Sequence, residues 1–505
     1  MKRLVAAVVA VLCAMVLTGC GLVPAPDITS TPDTRGVGSS LRPFYGQRIV
    51  WKDCGGGFRC ATARAPLDWS EPGGARISLA LTMRPASGQR VGTLFTNPGG
   101  PGASGVDFLR SSANEFYDQD LLDRYDIVAW DPRGVGSSQP VDCYGTKQLD
   151  EFLFSDPDLP EGSPALRKEV VDDGTAFGRA CLARTGALLA HVGTADTVRD
   201  LDMLRAASGE AKLDYFGFSY GTYIGALYAD RFGSRVGRMV LDGAVDPSIS
   251  TFQESLANTK AFGAALKAYL ASCLRRSGCP FAGSDVNGAV DRVATLLTSL
   301  RSSPLRASDG REVNSAVLRT AIDAALYDER AWTTLTAALT ALLRGRPDAV
   351  QSLADSYVDR GPKGYTDNLF EAIYAVNCLD KPVTKDPAAL RREGEQIDAA
   401  DPLRAADNTD DLGDQVCANW PVPVQGTVQR VTAKGAPPIL VLGTTGDPAT
   451  PYAWAQSLAG QLPGGVLLTL RGQGHTAYRN RVPCINERVD RFLVSGRVPG
   501  AVTCG

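Results

Sequence analysis

A serine flanked by glycines stands where an apolar strand is followed by a helix. Residues 217–221 read GFSYG, which fits the pattern G-x-S-x-G, with an apolar run from Leu213 to Phe218 before it and a helical stretch from Tyr220 to Arg231 after it. A sharp strand-to-helix turn needs glycines beside the nucleophile, because a Cβ there would collide with neighbouring backbone. The pattern predicts Ser219 as a catalytic nucleophile.

A serine hydroxyl needs a base that removes its proton, and histidine suits that role near neutral pH. The chain has two histidines, His191 and His475. His191 precedes the serine, whereas His475 follows an apolar strand from Val466 to Leu470 in a glycine-flanked loop. Because the order nucleophile, acid, histidine is typical of this kind of site, we expect His475 to be the base.

The acid that orients the histidine should stand at a strand end between the serine and the histidine. Asp447 follows the predicted strand Pro438 to Leu442, 28 residues before His475. Asp242 follows the predicted strand Arg238 to Leu241 and is the alternative. The sequence favours Asp447.

An oxyanion intermediate needs two backbone N–H donors. Tyr220, directly after the serine, supplies one by analogy with other strand-to-helix nucleophile turns. The second is expected from the glycine-dense loop 97–102, which reads NPGGPG after the predicted strand Gly92 to Thr96; we assign Gly100. This chemistry needs neither a metal nor an organic cofactor, and none is expected.

Strands and helices alternate on both sides of one long helical interruption. This rhythm predicts an α/β fold, a mostly parallel sheet flanked by helices, with one helical insertion between its two halves. The expected strands are Ile77 to Thr82, Gly92 to Thr96, Tyr125 to Trp130, Leu213 to Phe218, Arg238 to Leu241, Pro438 to Leu442 and Val466 to Leu470. The predicted parts are a signal peptide (1–19), a tether (20–40), the first core part (41–246), the helical cap (247–419) and the C-terminal core part (420–505).

The first twenty residues are typical of an exported lipoprotein. Lys2 and Arg3 precede an apolar run from Leu4 to Thr18, which is short for a bilayer span. Residues 17–20 read LTGC and resemble a bacterial lipobox, so we expect Cys20 to be lipidated and to hold the protein at the cell membrane, outside the cytoplasm. A plain secretory signal is the alternative.

Cysteine usage agrees with export. Apart from Cys13 and Cys20, ten cysteines remain, scattered without C-x-x-C spacing, which favours five disulfides over a zinc cluster. Sequence alone does not fix the connectivity. Sequential pairing is the expected pattern: Cys54–Cys60, Cys143–Cys181, Cys273–Cys279, Cys378–Cys417 and Cys484–Cys504.

Composition sets the remaining bounds. The 505 residues are 44% hydrophobic and 21% charged, with a net charge of −3, which is an ordinary globular balance. No run of Lys and Arg resembles a nucleic-acid-binding patch, so nucleic acid is not an expected partner. The sequence leaves the oligomeric state open.

Five motifs together resemble the prolyl and tripeptidyl aminopeptidases, secreted serine α/β-hydrolases of actinobacteria. They are NPGGPG at 97–102, DPRGVGS at 131–137, GFSYG at 217–221, GDPATP at 446–451 and GQGHT at 472–476. Prolyl aminopeptidases carry HGGPG where this chain has PGGPG, so the glycines carry over and the histidine does not. The resemblance covers most of residues 45–505. It implies an α/β-hydrolase core, a helical cap, and removal of short peptides from a free N-terminus.

Such an activity needs an anionic clamp for the substrate ammonium. Glu371 and Asp380, on one helical stretch of the predicted cap, are the candidates; solvated helix charges are the alternative reading. The resulting hypothesis is a cell-envelope serine hydrolase that acts on peptides or proteins. A carboxylesterase or lipase is the alternative within hydrolases, and a non-catalytic surface binding protein is the alternative outside them.

Overall fold

The structure is a computed structural model that describes residues 26–157, 159, 163–400, 403, 412–478 and 482–505. The predicted signal peptide and Cys20 lie outside these residues. Among the residues so described, no helix combines the length and the apolar character that a membrane span requires.

An eleven-stranded sheet forms the centre of the fold, in the order β1-β2-β3-β4-β6-β5-β7-β8-β13-β14-β15. Two separate two-stranded ribbons, β9/β10 and β11/β12, lie outside it. The strands are β1 (Ile28–Thr29), β2 (Val50–Asp53), β3 (Arg59–Pro66), β4 (Arg76–Arg84), β5 (Gly92–Asn97), β6 (Tyr125–Trp130), β7 (Leu213–Phe218), β8 (Val236–Asp242), β9 (Leu305–Arg306), β10 (Glu312–Val313), β11 (Arg360–Gly361), β12 (Gly364–Tyr365), β13 (Ile439–Gly446), β14 (Gly465–Gln473) and β15 (Val502–Cys504).

The sheet has a parallel and an antiparallel part. From β6 through β15 the neighbouring strands are parallel, while β1 to β4 and the β4–β6 pair are antiparallel. All residues of β5 are buried, as expected for a strand covered on both faces, whereas β4 begins with alternating exposed and buried residues. The predicted mostly parallel α/β sheet is confirmed.

Helices cover both faces of the sheet and fill the interval between β8 and β13. They are α1 (Arg42–Tyr45), α2 (Gly105–Phe116), α3 (Gln119–Arg124), α4 (Thr146–Phe154), α5 (Pro164–Thr185), α6 (Thr194–Ala207), α7 (Tyr220–Phe232), α8 (Thr251–Leu274), α9 (Val286–Ser302), α10 (Ser315–Leu326), α11 (Trp332–Leu342), α12 (Asp348–Tyr357), α13 (Leu369–Asp380), α14 (Pro387–Asp398), α15 (Leu412–Ala418), α16 (Tyr452–Gln461) and α17 (Pro483–Ser495). We call α8 to α15 the helical insertion.

The helical insertion has a core of its own. Leu270, Val293, Leu318 and Leu339, from α8 to α11, are buried together in an apolar cluster separate from those of the sheet. Helix α13 differs, because its apolar residues belong to the cluster that packs on the sheet. The insertion is therefore fastened to the sheet layer through α13, beside the strand ends.

All five predicted disulfides are confirmed, with sequential pairing. Cys378–Cys417 joins α13 to α15, and Cys143–Cys181 joins the segment before α4 to α5. The two bridges tie the end of the helical insertion and its neighbouring helix into fixed positions next to the sheet.

Candidate active site

Ser219 stands on a sharp turn between β7 and α7. Its backbone has φ 53° and ψ −126°, and its N–H donates to the carbonyl of Asp242 at 2.9 Å. A Cβ on Gly217 would lie 2.4 Å from the carbonyl oxygen of Gly221, and one on Gly221 would lie 2.6 Å from that of Asn97. Both glycines are therefore required sterically, as the sequence pattern predicts.

His475 follows β14 and contacts Asp447, which follows β13. The imidazole Nδ1 lies 3.0 Å from each carboxylate oxygen of Asp447 and 3.2 Å from Oγ1 of Thr450. Thr450 Oγ1 donates to Asp447 Oδ2 at 3.0 Å. The other ring nitrogen, Nε2, is buried and has no hydrogen-bond partner among the described residues. That nitrogen is free to accept a proton.

A residue from the helical insertion supports the imidazole. The backbone N–H of His475 donates to the carbonyl of Tyr327 at 2.8 Å, and the two rings meet edge to face with centroids 5.4 Å apart. Tyr327 follows α10, so the insertion reaches the histidine directly. No sequence pattern pointed to Tyr327.

The carboxylate of Asp242, the alternative acid, makes no hydrogen bond to the imidazole of His475. Its two oxygens accept the backbone N–H groups of Ala477 and Tyr478, each at 2.8 Å. Burial raises the pKa of Asp242 to about 6, although the two backbone donors act in the opposite direction. Asp242 therefore holds the loop after His475, and its carbonyl holds the Ser219 turn.

His191, the alternative base, lies elsewhere. It ends a short 3-10 helix, Gly186–His191, and its Nδ1 lies 3.8 Å from Asp196. Its carbonyl accepts a hydrogen bond from Arg133 at 2.9 Å. Neither contact brings it to Ser219.

The glycine-rich loop after β5 packs against the serine turn. Gly99 has φ 107°, and a Cβ there would lie 2.7 Å from the carbonyl oxygen of Phe218 and 2.8 Å from the Cβ of Ser219. Oδ1 of Asn97 accepts the Gly99 N–H at 3.0 Å and fixes the start of the loop. Gly100, Ser219 and Tyr220 line one cavity.

This cavity, of about 350 Å³, lies between the strand ends and the helical insertion. Its walls come chiefly from α8, α13 and the strand-end loops. The lining residues are Gly100, Pro101, Ser219, Tyr220, Tyr223, Val245, Thr251, Glu254, Ser255, Asn258, Tyr327, Phe370, Ile373, Tyr374, Asn377, Asp380, Lys381, Cys417, Ala449, Thr450 and Trp454. A substrate bound to Ser219 would thus be enclosed largely by aromatic and polar side chains.

The structure separates the two predicted clamp residues. Glu371 does not line the cavity, because its Oε1 accepts the backbone N–H groups of Cys143 and Tyr144 at 2.7 and 2.8 Å, behind α13. Burial raises its pKa. The prediction that Glu371 faces the substrate is corrected accordingly.

Asp380 does line the cavity. Oδ1 accepts the Thr194 N–H at 2.7 Å, and Oδ2 accepts the Thr194 hydroxyl, which also bonds the hydroxyl of Tyr220. Burial raises the pKa of Asp380 to about 7, against the opposing effect of the Thr194 bonds. Asp380 thereby supports the side chain of Tyr220, the residue after the serine.

A second carboxylate, which sequence reasoning missed, faces the cavity from α8. Glu254 Oε2 pairs with Lys381 Nζ at 2.7 Å; the Glu254 side chain is 29% exposed, against 8% for Lys381. Lys381 also lies over the ring of Tyr223 at 5.5 Å. The packing of the insertion over the sheet brings Glu254 to the cavity that Ser219 lines. The sequence pattern of α8 alone therefore could not predict that Glu254 faces this cavity.

A parallel sheet with a serine at a strand-to-helix turn, followed in chain order by an aspartate and a histidine at later strand ends, defines an α/β-hydrolase. The family model described as TAP-like protein matches residues 401–504. Serine protease Hip1 of Mycobacterium tuberculosis is 35% identical, over 96% of this chain and 94% of that protein.

Two further relatives carry different names. Carboxylesterase B of Mycobacterium tuberculosis is 37% identical, over 87% of this chain and 85% of that protein. Tripeptidyl aminopeptidase of Streptomyces lividans is 32% identical, over 90% of this chain and 86% of that protein. The chain belongs to this TAP-like family of serine hydrolases.

Proposed function

We propose that the chain is a serine peptidase that releases short peptides from the free N-termini of peptides or proteins. The observation that carries the proposal is the cavity between the strand ends and the helical insertion, in which Ser219 shares the walls with the carboxylates of Glu254 and Asp380. A cavity that the helical insertion partly covers admits a chain end more readily than the middle of a folded chain. Carboxylates on its wall suit a positively charged terminus.

Ser219, His475 and Asp447 carry the proposed reaction. The Ser219 Oγ attacks the carbonyl carbon of the scissile bond while His475 Nε2 takes the hydroxyl proton. The N–H groups of Tyr220 and Gly100 donate to the oxyanion. The same proton passes to the leaving amine as the C–N bond breaks, which leaves an acyl-enzyme. Water, deprotonated by His475, then hydrolyses the ester and regenerates Ser219.

Asp447 supports both proton transfers in this scheme. With the imidazole proton placed on Nδ1, that nitrogen donates to the carboxylate and Nε2 is left to accept. When His475 becomes an imidazolium, the carboxylate at 3.0 Å stabilises the positive charge. Thr450 holds the carboxylate in this orientation through its hydroxyl.

Glu254 replaces Glu371 as the proposed ammonium clamp, with Asp380 beside it. Glu254 is the more exposed of the two carboxylates and already binds one ammonium, that of Lys381. A substrate ammonium would add a second charged donor to the same carboxylate. A charge-assisted hydrogen bond of this kind contributes about 1.5–3 kcal/mol, or about 10–150-fold in kcat/KM.

The test compares peptidyl p-nitroanilides that carry a free or an N-acetylated terminus. In the wild type, acetylation should lower kcat/KM by about 10–150-fold. Glu254→Gln should remove most of this difference by slowing cleavage of the free peptide alone. Glu371→Gln is the matched control, since Glu371 lies outside the cavity, and it should keep the full difference. Equal cleavage of free and acetylated peptides by the wild type would overturn the proposal.

The alternative is a carboxylesterase, which the name of the 37% identical relative supports. Such an enzyme would share Ser219, His475 and Asp447 but need no clamp for an ammonium. It would cleave acyl esters well and peptidyl amides with either terminus poorly. The ratio of amide to ester turnover, measured on one acyl group, separates the two functions.

The proposed location is the outer face of the cell membrane, with Cys20 as the lipid-bearing residue. The proposal rests on the LTGC sequence at 17–20 and on five disulfides, which form in oxidising compartments. Residues 20–40 would then tether the hydrolase, and residues 247–419 would act as its cap.

A further inference from the structure

A second cavity, of about 230 Å³, lies at the far end of the helix that begins at the nucleophile. Helix α7 runs 13 residues from Tyr220 to Phe232, and Phe232 lines this second cavity. The α7 residues that line the two cavities come closest at Tyr223 and Arg231, which are eight residues apart, or about 12 Å along the helix at 1.5 Å per residue. They share no lining residue. The second cavity is thus separate from the catalytic one.

Three arginines from different parts of the chain line the second cavity: Arg199 on α6, Arg231 on α7 and Arg235 just after α7. We call it the arginine pocket. Arg199 donates one hydrogen bond, to Asp196 at 3.0 Å, and Arg235 pairs with Asp202 through one nitrogen. Because each guanidinium has five N–H donors, both keep several for a ligand.

Arg231 is the least engaged of the three. In the described part of the chain it has no hydrogen bond or ion pair, and its guanidinium carbon lies over the ring of Phe232, 5.6 Å from the centroid. Burial lowers its pKa and the positive charge of Arg199 adds to the effect, while Tyr45 and the carboxylates of Asp196 and Asp202 act in the opposite direction. An anion beside Arg231 would supply the charged hydrogen-bond partner that this guanidinium lacks among the described residues.

The remaining walls are suited to a small organic anion. Trp69 provides an aromatic surface, and the segment from Gly36 to Gly38 also lines the pocket. Gly36 has φ 71°, and no atom lies within 4 Å of a Cβ built on Gly36 or Gly38, so the space beside both glycines is open. Guanidinium groups bind phosphoryl oxygens in pairs, and three of them match a phosphate better than a single carboxylate.

We propose that the arginine pocket binds a phosphoryl group, carried by an anionic phospholipid head group or by a soluble phosphate ester. The position of the pocket on the chain favours the lipid. Gly36 to Gly38 belong to the segment that leads back to Cys20, and six residues of extended chain reach about 20 Å. A lipid on Cys20, itself a proposal, would therefore keep the membrane surface within reach of the segment that begins at Pro26.

Binding of the soluble ester is measured by calorimetry with glycerol 3-phosphate at constant ionic strength. The protein is the chain with Cys20→Ser, so that no attached lipid contributes. Arg231→Gln should weaken binding at least tenfold, because one charge-assisted contact is lost. Arg497→Gln, an exposed arginine outside both cavities, is the matched control and should bind like the parent. No binding by the parent, or equal binding by the Arg231→Gln protein, would overturn the proposal.

Co-sedimentation distinguishes the lipid from the soluble source. Vesicles of phosphatidylcholine with phosphatidylglycerol should retain the Cys20→Ser protein, whereas phosphatidylcholine alone should not, and Arg231→Gln should abolish retention. Binding of glycerol 3-phosphate without retention on vesicles assigns the pocket to a soluble phosphate ester. Retention that Arg231→Gln leaves unchanged overturns the lipid assignment. Turnover of a small ester should stay unchanged in all variants, because the pocket is remote from Ser219.

Discussion

Replacing Asp447 with asparagine should disable the imidazole while leaving its position intact. The carboxylate Oδ1 accepts the backbone N–H groups of Ala449 and Thr450 at 2.9 and 2.8 Å, so the oxygen of the asparagine will take that side. The amide nitrogen must then occupy the Oδ2 position, facing Nδ1 of His475 and the N–H of Thr476. It can only donate, which favours the tautomer in which Nδ1 accepts, although the asparagine oxygen at the Oδ1 position also lies 3.0 Å from Nδ1.

The consequence for catalysis follows from the tautomer. An imidazole that accepts at Nδ1 carries its proton on Nε2 and cannot receive another from Ser219. Loss of this function in a serine–histidine–aspartate site lowers kcat by about 10⁴, which is about 5.5 kcal/mol of transition-state stabilisation. KM should change little, since Asp447 does not line the substrate cavity.

Asp242→Asn is the comparison that makes the experiment decisive. There the side chain serves two backbone donors, of Ala477 and Tyr478, and an asparagine oxygen can still accept one of them. The expected result is a loss of about 1–3 kcal/mol of stability, from one unsatisfied donor, with a much smaller fall in kcat than for Asp447→Asn. Pre-steady-state acylation of both variants by a chromogenic ester gives the rates. An Asp242→Asn protein that loses 10⁴ while Asp447→Asn keeps most of its rate would refute the assignment.

Three further predictions concern separate parts of the molecule. Ser219→Ala should abolish labelling by a fluorophosphonate with an unchanged circular dichroism spectrum, and a mutant that still labels would mean that the nucleophile lies elsewhere. Cys20→Ser should move the protein from the membrane pellet to the soluble fraction; persistent membrane binding would contradict lipid anchoring. Burial, with Asp118 nearby, raises the pKa of Asp490 to about 8, so the native state binds a proton that the unfolded chain releases near pH 4. As the pH rises from about 4 to about 8, this group therefore lowers the free energy of unfolding of the wild type. Asp490→Asn should raise the Tm more at pH 8.5 than at pH 5.

The parallel strands β5, β6, β7, β8, β13 and β14 could be predicted because each is a short apolar run bounded by turn residues, whereas the three-residue parallel strand β15 was missed. The antiparallel edge could not be predicted in the same way: β1 has two residues, β2 has four, and β3 mixes arginine with alanine. These strands form because a neighbouring strand supplies hydrogen bonds, which a local pattern does not reveal. The two ribbons in the helical insertion were missed for the same reason.

The serine, aspartate and histidine could be located because parallel strands end at one edge, so chain order fixes their neighbourhood. The ammonium clamp could not be located in this way, because it depends on which face of each helix is directed at the cavity. Glu371 and Asp380 are nine residues apart on α13, which at 100° per residue places them on opposite faces, about 180° apart. Only one of them can face the cavity. Glu254 comes from a helix whose placement over the sheet is a long-range packing result.

The pairing of β8 with β13 joins two parts of the active site that are far apart in the sequence. Ile439 pairs with Met239, 200 positions earlier in the sequence, so the residues between them, which include the helical insertion, must be made before the strand that precedes Asp447 finds its neighbour. A nascent chain that has not reached the end of β14 holds Ser219 without its base, because Asp447 and His475 come later in the sequence. The catalytic geometry is therefore complete only when most of the chain has been made.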